Sequence, residues 1–268
     1  MHLEQELAAR LAGKTKKIGK QVLWLEETDS TNLVCRRMAE EGAAEGLCVL
    51  ARAQSAGRGR RGRNFQSEKD LGMYLTVLLR PAEEMQTLSD LTAWVAVAVC
   101  DGVEAATGVR PEIKWINDII LNGKKLGGIL TELGLGKNGA IDHVVVGIGL
   151  NVNHSREDFL PELRDMATSL TLEMETPPSL PELAAGVIGE LDRMYENFPH
   201  NKQTYLEKYR AGCITTGKQV QLITPASREE AESLYIDDGF RLVVRMPDGE
   251  ERAVSAGEVS VRGMYGYL

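Results

Sequence analysis

Apolar residues along this chain come in short runs, and the spacing of the runs changes from one region to the next. Leu3, Leu7 and Leu11 recur every four residues and predict an N-terminal helix. Unbroken apolar stretches predict buried strands at 22–25 (VLWL), 47–53 (LCVLARA) and 72–80 (GMYLTVLLR), the last stopped by Pro81. Between the first two, helical spacing runs from about 33 to 41 and ends at Gly42, with Asp29 or Ser30 as the N-cap. A long apolar helix fits 88–108, with Gly108 as its terminator. Strand 112–115 (EIKW) follows. IILNGKKLGGILTEL then reads as a hairpin turned on Asn122-Gly123, a pair suited to the positive φ values of a tight turn. A further strand covers 140–152 (AIDHVVVGIGLNV). Strands at hairpin spacing with helices against them predict an α+β fold built on a mixed, mostly antiparallel sheet.

Past the connecting segment TPPSLP at 176–181, helical patterns cover about 181–198 and 202–210. After Cys213 the pattern becomes short alternating strands broken by turn residues, which predicts a small β-barrel. The chain therefore divides into an N-terminal helix and linker (1–21), a main domain (22–212) and a C-terminal β-domain (213–268).

Composition narrows the class. The 268 residues are 43% hydrophobic and 26% charged, ordinary for a soluble globular protein. No apolar run is long enough to span a bilayer, and the N-terminus has no continuous apolar core of a signal peptide. Cys35, Cys48, Cys100 and Cys213 are scattered without a C-x-x-C, which predicts buried free thiols and a cytoplasmic protein. The four histidines lie far apart, so no zinc-type cluster is expected. A net charge of −8 argues against general nucleic-acid binding. That charge is uneven, however. Residues 46–67 hold no acid, while Arg52, Arg58, Arg60, Arg61 and Arg63 all fall there.

Four of these arginines sit in GRGRRGR at 57–63, where Gly57, Gly59 and Gly62 match the G-x-G-x-x-G of a dinucleotide turn. Glu83 or Glu84 even falls near the expected acidic position. But that turn must open a helix, and here a strand follows; the arginines would also crowd a pyrophosphate. No G-x-x-x-x-G-K-[ST] is present. RNA binding would call for aromatics among the basic residues, and Phe65 stands alone. A solvated surface loop would mix its charges. The remaining reading is a mobile loop that folds over a polyphosphate. Glycines turn backbone N–H groups inward, and arginines offer planar paired donors.

STN at 30–32, GRGRRGR at 57–63, KWIND at 114–118, GKKLGGIL at 123–130 and GIGLNV at 147–152 occur in the order and spacing of biotin protein ligases. ATSL at 167–170 and a β-rich tail with EVSVRG agree, so the chain resembles that family from about residue 22 to its end. The resemblance implies a class II synthetase-like, biotin–lipoate ligase catalytic fold with an SH3-like C-terminal barrel. It implies an ATP-dependent ligase that makes biotinyl-5′-AMP and transfers biotin to a lysine of a biotin carboxyl carrier domain. The ligands implied are biotin, ATP and Mg²⁺.

The same resemblance assigns roles. Ser30, Thr31, Asn32 and Gln54 would line a biotin pocket, although DSTN alone reads equally as a helix cap. Arg58, Gly59 and Arg60 would close over carboxylate and phosphates, with Arg61 and Arg63 assisting and Phe65 covering the ligand. Lys125 would place its ammonium between carboxylate and α-phosphate, while Lys124 stays a solvated charge. Gly127 and Gly128 would let backbone approach the ligand. Asn117, Asp118 and Asn151 would meet phosphate or Mg²⁺, and Asp118 the acceptor lysine. The catalytic set is thus Lys125, Arg60 and Asp118. Trp115 is expected in the core.

Two departures stand out. Ile116 replaces a proline usual in the family, and Phe65 replaces a frequent tryptophan; neither removes an essential group. The residues before Val22 are too few for a winged helix-turn-helix, which fits either a naturally monofunctional protein or a piece of a longer one; DNA-binding repression is not expected of these residues, and a monomer or homodimer is. A lipoate-type ligase of the same fold and a non-catalytic biotin or nucleotide sensor are the competing readings. A lipoate ligase would lack the doubled arginine-glycine loop, and a dead sensor would have lost Lys125 or the loop arginines.

Overall fold

A computed structural model describes residues 3–82, 85–137, 139–224, 227–255 and 260–263. Glu83, Glu84 and the start of the EVSVRG tail (Glu258 and Val259) lie outside the described residues. The first part of the chain runs α1 (Leu3–Leu11), β1 (Gln21–Leu25), α2 (Thr31–Glu40), β2 (Leu47–Ala51), β3 (Gly72–Leu79), α3 (Met85–Leu88) and α4 (Leu91–Thr107). Then come β4 (Glu112–Lys114), β5 (Asp118–Leu121), β6 (Lys124–Leu135), β7 (Ile141–Asn151), α5 (Leu170–Glu173), α6 (Leu180–Asn197) and α7 (Lys202–Gly212). The chain closes with β8 (Gln219–Ile223), β9 (Arg228–Ile236), β10 (Leu242–Arg245), β11 (Glu251–Val254) and β12 (Ser260–Gly263).

Strands β1 to β7 form one sheet in the order β1-β2-β3-β7-β6-β5-β4. Only β1 and β2 run parallel, joined by the α2 crossover; every other neighbouring pair is antiparallel. The sheet is mixed and mostly antiparallel, as the strand spacing requires. Helices α4 and α6 cover one face. Helix α4 is apolar nearly all round, with Trp94 stacked on Tyr205 at 4.1 Å. It starts at Leu91 rather than near 88, because Ser89 N–H closes the separate turn α3 on Met85 O and Asp90 takes the cap position. Gly108 ends it at φ 74°.

The N-terminal segment is built into the body. Leu7 and Leu11 are buried against α6. The backbone N–H groups of Lys16, Lys17 and Ile18 then donate to the Asp192 carboxylate at 2.7, 2.8 and 2.7 Å. Asp192 lies on α6 and is buried, so it exchanges water for three charge-assisted bonds.

Strands β8 to β12 form a five-stranded antiparallel sheet in the order β11-β10-β9-β8-β12. Its core residues Val220, Leu222 and Phe240 join the main core. Trp115 bridges the two sheets: its Nε1–H donates to Phe240 O at 2.9 Å and its backbone N–H to Thr215 Oγ1 at 2.8 Å. This is the core role expected of Trp115. All four cysteines are buried and free, and burial pushes the Cys35 and Cys100 thiols up to about 12. Among the described residues no helix is long and apolar enough to cross a membrane.

Candidate active site

The pocket face of β7 organises the site. Gly147, Gly149 and Asn151 follow one another on that face, spanning roughly 14 Å at ordinary strand rise. Each glycine makes room for a side chain from another element. A Cβ on Gly147 would stand 2.1 Å from Asn32 Oδ1, and one on Gly149 would stand 2.7 Å from Phe65 Cε1. The strand is thus a track with Asn32 over its start, Phe65 over its middle and its own Asn151 at the end.

Above this track lies a cavity of about 650 Å³. Its size is that of pockets for drug-sized ligands and cofactors. Of the residues given a ligand role from the sequence, fifteen line it: Ser30, Thr31, Asn32, Gln54, Arg58, Gly59, Arg60, Arg61, Arg63, Phe65, Asn117, Asp118, Lys125, Gly128 and Asn151; Gly127 does not.

At the Asn32 end the polar groups are largely committed to each other. Thr31 N–H and Oγ1–H both reach Gln54 Oε1, at 2.9 and 3.0 Å, and Gln54 Nε2 donates to Ser67 Oγ at 2.8 Å. Thr76, buried in β3, lies 2.8 Å from Thr31 Oγ1 and 2.7 Å from Asn32 Oδ1. Asn32 Nδ2 donates to Glu132 at 2.8 Å. Ser30 is different. It occupies the N-cap position of α2, yet its side chain makes no capping bond. Ser30 lines the cavity instead, so the cap reading of DSTN holds for backbone geometry only.

The arginine loop is a small hairpin over the cavity mouth. Gly59 N–H donates to Arg63 O at 2.7 Å and Phe65 N–H to Gly57 O at 2.9 Å. Arg61 and Gly62 turn the chain at φ 57° and 71°. The base is fastened by Arg52, whose guanidinium grips both oxygens of Asp70, at 2.7 and 2.5 Å. Arg52 therefore belongs to the loop's anchor and not to the cavity. The other arginines diverge. Arg58 pairs with Glu132 at 3.1 Å, Arg60 donates to Asn117 Oδ1 at 2.8 Å, and Arg61 reaches Ile223 O in β8 at 3.1 Å. Arg63 is exposed. Burial, and then the nearby charge of Arg61, lower the Arg60 pKa; Asp118 opposes this. Arg60 is thus a partly desolvated cation.

Lys125 Nζ lies 2.6 Å from Asp118 Oδ1 at the cavity's centre. The placement depends on a β-bulge. Ile119 pairs with Gly127 and Ile120 with Lys125, leaving Leu126 extra. Leu126 goes to the core, and Lys125 returns to the face that carries Asp118 and Gly128. A Cβ on Gly128 would stand 3.5 Å from both charged atoms of the pair. Gly127 plays another part: a Cβ there would lie 2.2 Å from Gly149 O, so it serves the close packing of β6 on β7 and not a ligand approach.

Asn117 and Asn151 are engaged. Asn117 holds Arg60 through its oxygen, and its amide donates to Ile129 O at 3.0 Å. Asn151 Nδ2 donates to Thr168 O at 2.9 Å. Among the described residues no group of three or more His, Cys, Asp or Glu could hold a metal. Asp118, paired with Lys125, is the one carboxylate among the three candidate magnesium contacts. Phe65 lines the cavity, edge-on to Tyr74 with ring centres 6.4 Å apart.

Sequence reasoning missed several lining or bracing residues. Lys114 is a lysine 6% exposed in a short strand beside Asp118, and its signal was a lone cation inside EIKW. Glu132 and Thr76 brace the Asn32 end and carried no motif. Gln221 and Val261 come from the C-terminal sheet and could not be placed without the tertiary fold.

The biotin/lipoate A/B protein ligase family matches residues 24–151. The bifunctional ligase/repressor BirA of Bacillus spizizenii is 41% identical over 252 residues, covering 94% of this chain and 77% of the relative. The biotin–[acetyl-CoA-carboxylase] ligase of Mycobacterium tuberculosis is 31% identical over 246 residues, with 90% of this chain and 88% of the relative covered. Among solved structures, the Aquifex aeolicus biotin protein ligase in complex with biotin and ATP aligns at a TM-score of 0.77 and 27% identity, across 91% of this chain and 99% of that one. Identity sustained over nearly the whole chain, on the sheet that carries the arginine loop and Lys125, makes this chain a member of the biotin/lipoate A/B protein ligase family.

Proposed function

We propose that this chain activates biotin as biotinyl-5′-AMP and transfers it to a lysine of a biotin carboxyl carrier domain. One observation carries the reading: the Asn32 end, the arginine loop, the Lys125–Asp118 pair and Phe65 all face one continuous cavity. A carboxylate and a triphosphate can therefore lie end to end on β7.

In the first step a biotin carboxylate oxygen bonds to the α-phosphorus, and the bond to the bridging oxygen breaks with release of pyrophosphate. Two anions must meet, so cations have to offset their repulsion and stabilise the charge that develops. Lys125, Arg60 and Arg58 supply them; Arg58 would exchange Glu132 for the ligand. In the second step the carrier lysine attacks the activated carbonyl and AMP leaves. Asp118 is the base within reach of that amine's proton. Ser30 and the second N–H of Gln54 are the groups that meet the ureido ring, while Thr31 and Asn32 hold the wall in shape.

Magnesium would arrive with the nucleotide, held mainly by phosphates and water, with Asp118 as its protein carboxylate. When bound it neutralises phosphate charge. Asn117 and Asn151 keep their present bonds and position Arg60 and the 166–168 strap. We assign residues 22–212 to catalysis and 213–268 to an SH3-like module closing one end of the cavity. The buried thiols suit the reducing cytoplasm.

Intact-mass spectrometry of a carrier domain incubated with the protein, biotin and Mg-ATP tests the reading. The expected result is a gain of one biotinyl group that needs ATP. A gain with lipoate instead, or biotin binding without transfer, would overturn it.

A further inference from the structure

The backbone around Lys125 is held from two sides, and both holds meet at one carboxylate. At the hairpin tip, Asn122 Nδ2 donates to Glu173 Oε2 at 2.5 Å. From the strap beside β6, Thr168 Oγ1 donates to Glu173 Oε1 at 2.5 Å. Thr168 N–H in turn donates to Lys125 O at 2.9 Å, and Lys125 N–H donates to Met166 O at 2.8 Å. The bonds close a ring from Asn122 through Glu173 and Thr168 to Lys125, and back along three residues of chain to Asn122. Thr168 is 1% exposed, and its carbonyl receives the Asn151 amide. The same strap therefore joins the cavity's centre to its far end. None of Asn122, Thr168 and Glu173 lines the cavity.

We propose that Glu173, through Thr168 and Asn122, is a positioning residue that sets the Lys125 ammonium for the activation step. The proposal rests on the ligase reading above. Both bonds to Glu173 come from donors, which a carboxylate accepts together. A glutamine satisfies both only if the Thr168 hydroxyl or the Asn122 amide reverses to accept from its NH₂, and the neutral bonds that result are weaker than the charge-assisted pair. The hairpin then gains play against the strap, and the end of a long lysine side chain amplifies it. Misplacement of a reacting group by about 1 Å can cost around a hundredfold in rate.

A clasp that served stability alone would behave differently, lowering the thermal midpoint and weakening both half-reactions together. The experiment compares Glu173→Gln, Thr168→Val and Thr168→Ser with the parent, and uses Glu175→Gln, an exposed neighbour, as control. Pyrophosphate release with biotin and Mg-ATP reads activation. Transfer from supplied biotinyl-adenylate to the carrier domain reads the second step. Glu173→Gln and Thr168→Val are expected to lower kcat of activation about tenfold or more, with the KM for biotin and the transfer rate within about twofold. Thr168→Ser keeps the hydroxyl and should restore activation. Parent-like activation in Glu173→Gln and Thr168→Val would overturn the proposal, as would equal losses in both half-reactions. Should Glu173→Gln fail to fold, Thr168→Val and Asn122→Ala decide by the same readouts. A parent that forms no biotinyl-adenylate would sink the ligase reading itself, a failure visible before any variant is compared.

Discussion

Gly149→Ala isolates the contribution of Phe65. The added Cβ would stand 2.7 Å from Phe65 Cε1 and 2.8 Å from Cζ. Ordinary carbon contacts begin near 3.5 Å, so one partner must give by about 1 Å. β7 is hydrogen-bonded on both sides, to β3 and β6, and stays in place. The Phe65 ring is the free end of a side chain on a loop, and it moves instead. The fold should barely respond, because replacing glycine in a strand returns about 0.5–1 kcal/mol of backbone entropy. The ligand should respond. A lost aromatic contact is worth about 0.5–1.5 kcal/mol, or roughly 2- to 13-fold in affinity. Calorimetric titration with a hydrolysis-resistant biotinyl-adenylate analogue reads this directly, beside titration with biotin alone. Weaker analogue binding, near-normal biotin binding and a thermal midpoint within a few degrees of the parent are expected. Unchanged analogue affinity would refute the cover role of Phe65.

Lys125→Ala should slow biotinyl-adenylate formation by about a hundredfold or more, with the fold intact by circular dichroism; near-normal turnover would remove Lys125 from the mechanism. Arg60→Gly deletes the bond to Asn117 and the half-buried cation, so adenylate should escape and label surface lysines indiscriminately; labelling confined to the carrier domain would contradict this. Asp192→Asn turns an NH₂ toward at least one of the three backbone N–H donors and removes the charge from the others, at a cost of about 1–3 kcal/mol in urea unfolding; a loss under about 1 kcal/mol would contradict the clamp. Hydrogen bonding from Arg52 holds the Asp70 carboxyl below its usual range. A depressed folded pKa contributes stability above the unfolded value and loses it as pH falls through the folded one. The loop base should therefore stay fastened in the parent until below about pH 3.9, whereas Arg52→Ala removes the grip itself and should leave the base open already above that pH. Pepsin cleavage between residues 53 and 69 as a function of pH checks this, and equal midpoints in the two proteins would refute it.

Local chemistry made much of this molecule readable. Apolar runs located β1, β3 and β7 to within a residue or two, and Asn122-Gly123 forms the tight turn at φ 48° and 76°. The arginine loop stood out by charge alone. What could not be read depends on partners distant in sequence. Nothing local to GIGLNV says that β7 inserts between β3 and β6, or that its glycines seat Asn32 and Phe65. Strict alternation from Gly128 would aim Lys124, not Lys125, at the cavity; the bulge at Leu126 reverses that. The commitments of Thr31 and Asn32 were hidden because Thr76 and Glu132 lie 45 and 100 residues further along the chain. The long helix was expected to start too early, because Ser89 and Asp90 read as helical until the turn α3 is seen to close on itself.

The three backbone donors gripping Asp192 have a practical bearing on fusions. Slack between a fused domain and an enzyme sets the volume that domain explores, and hence its effective concentration at the site. Residues 16–18 carry no such slack, since α1 and the following turn are fixed to α6. A tag joined ahead of Leu3 would leave from a platform fixed relative to the cavity. Its reach would be set by the added linker alone, and Asp192→Asn would lengthen that reach without adding a residue.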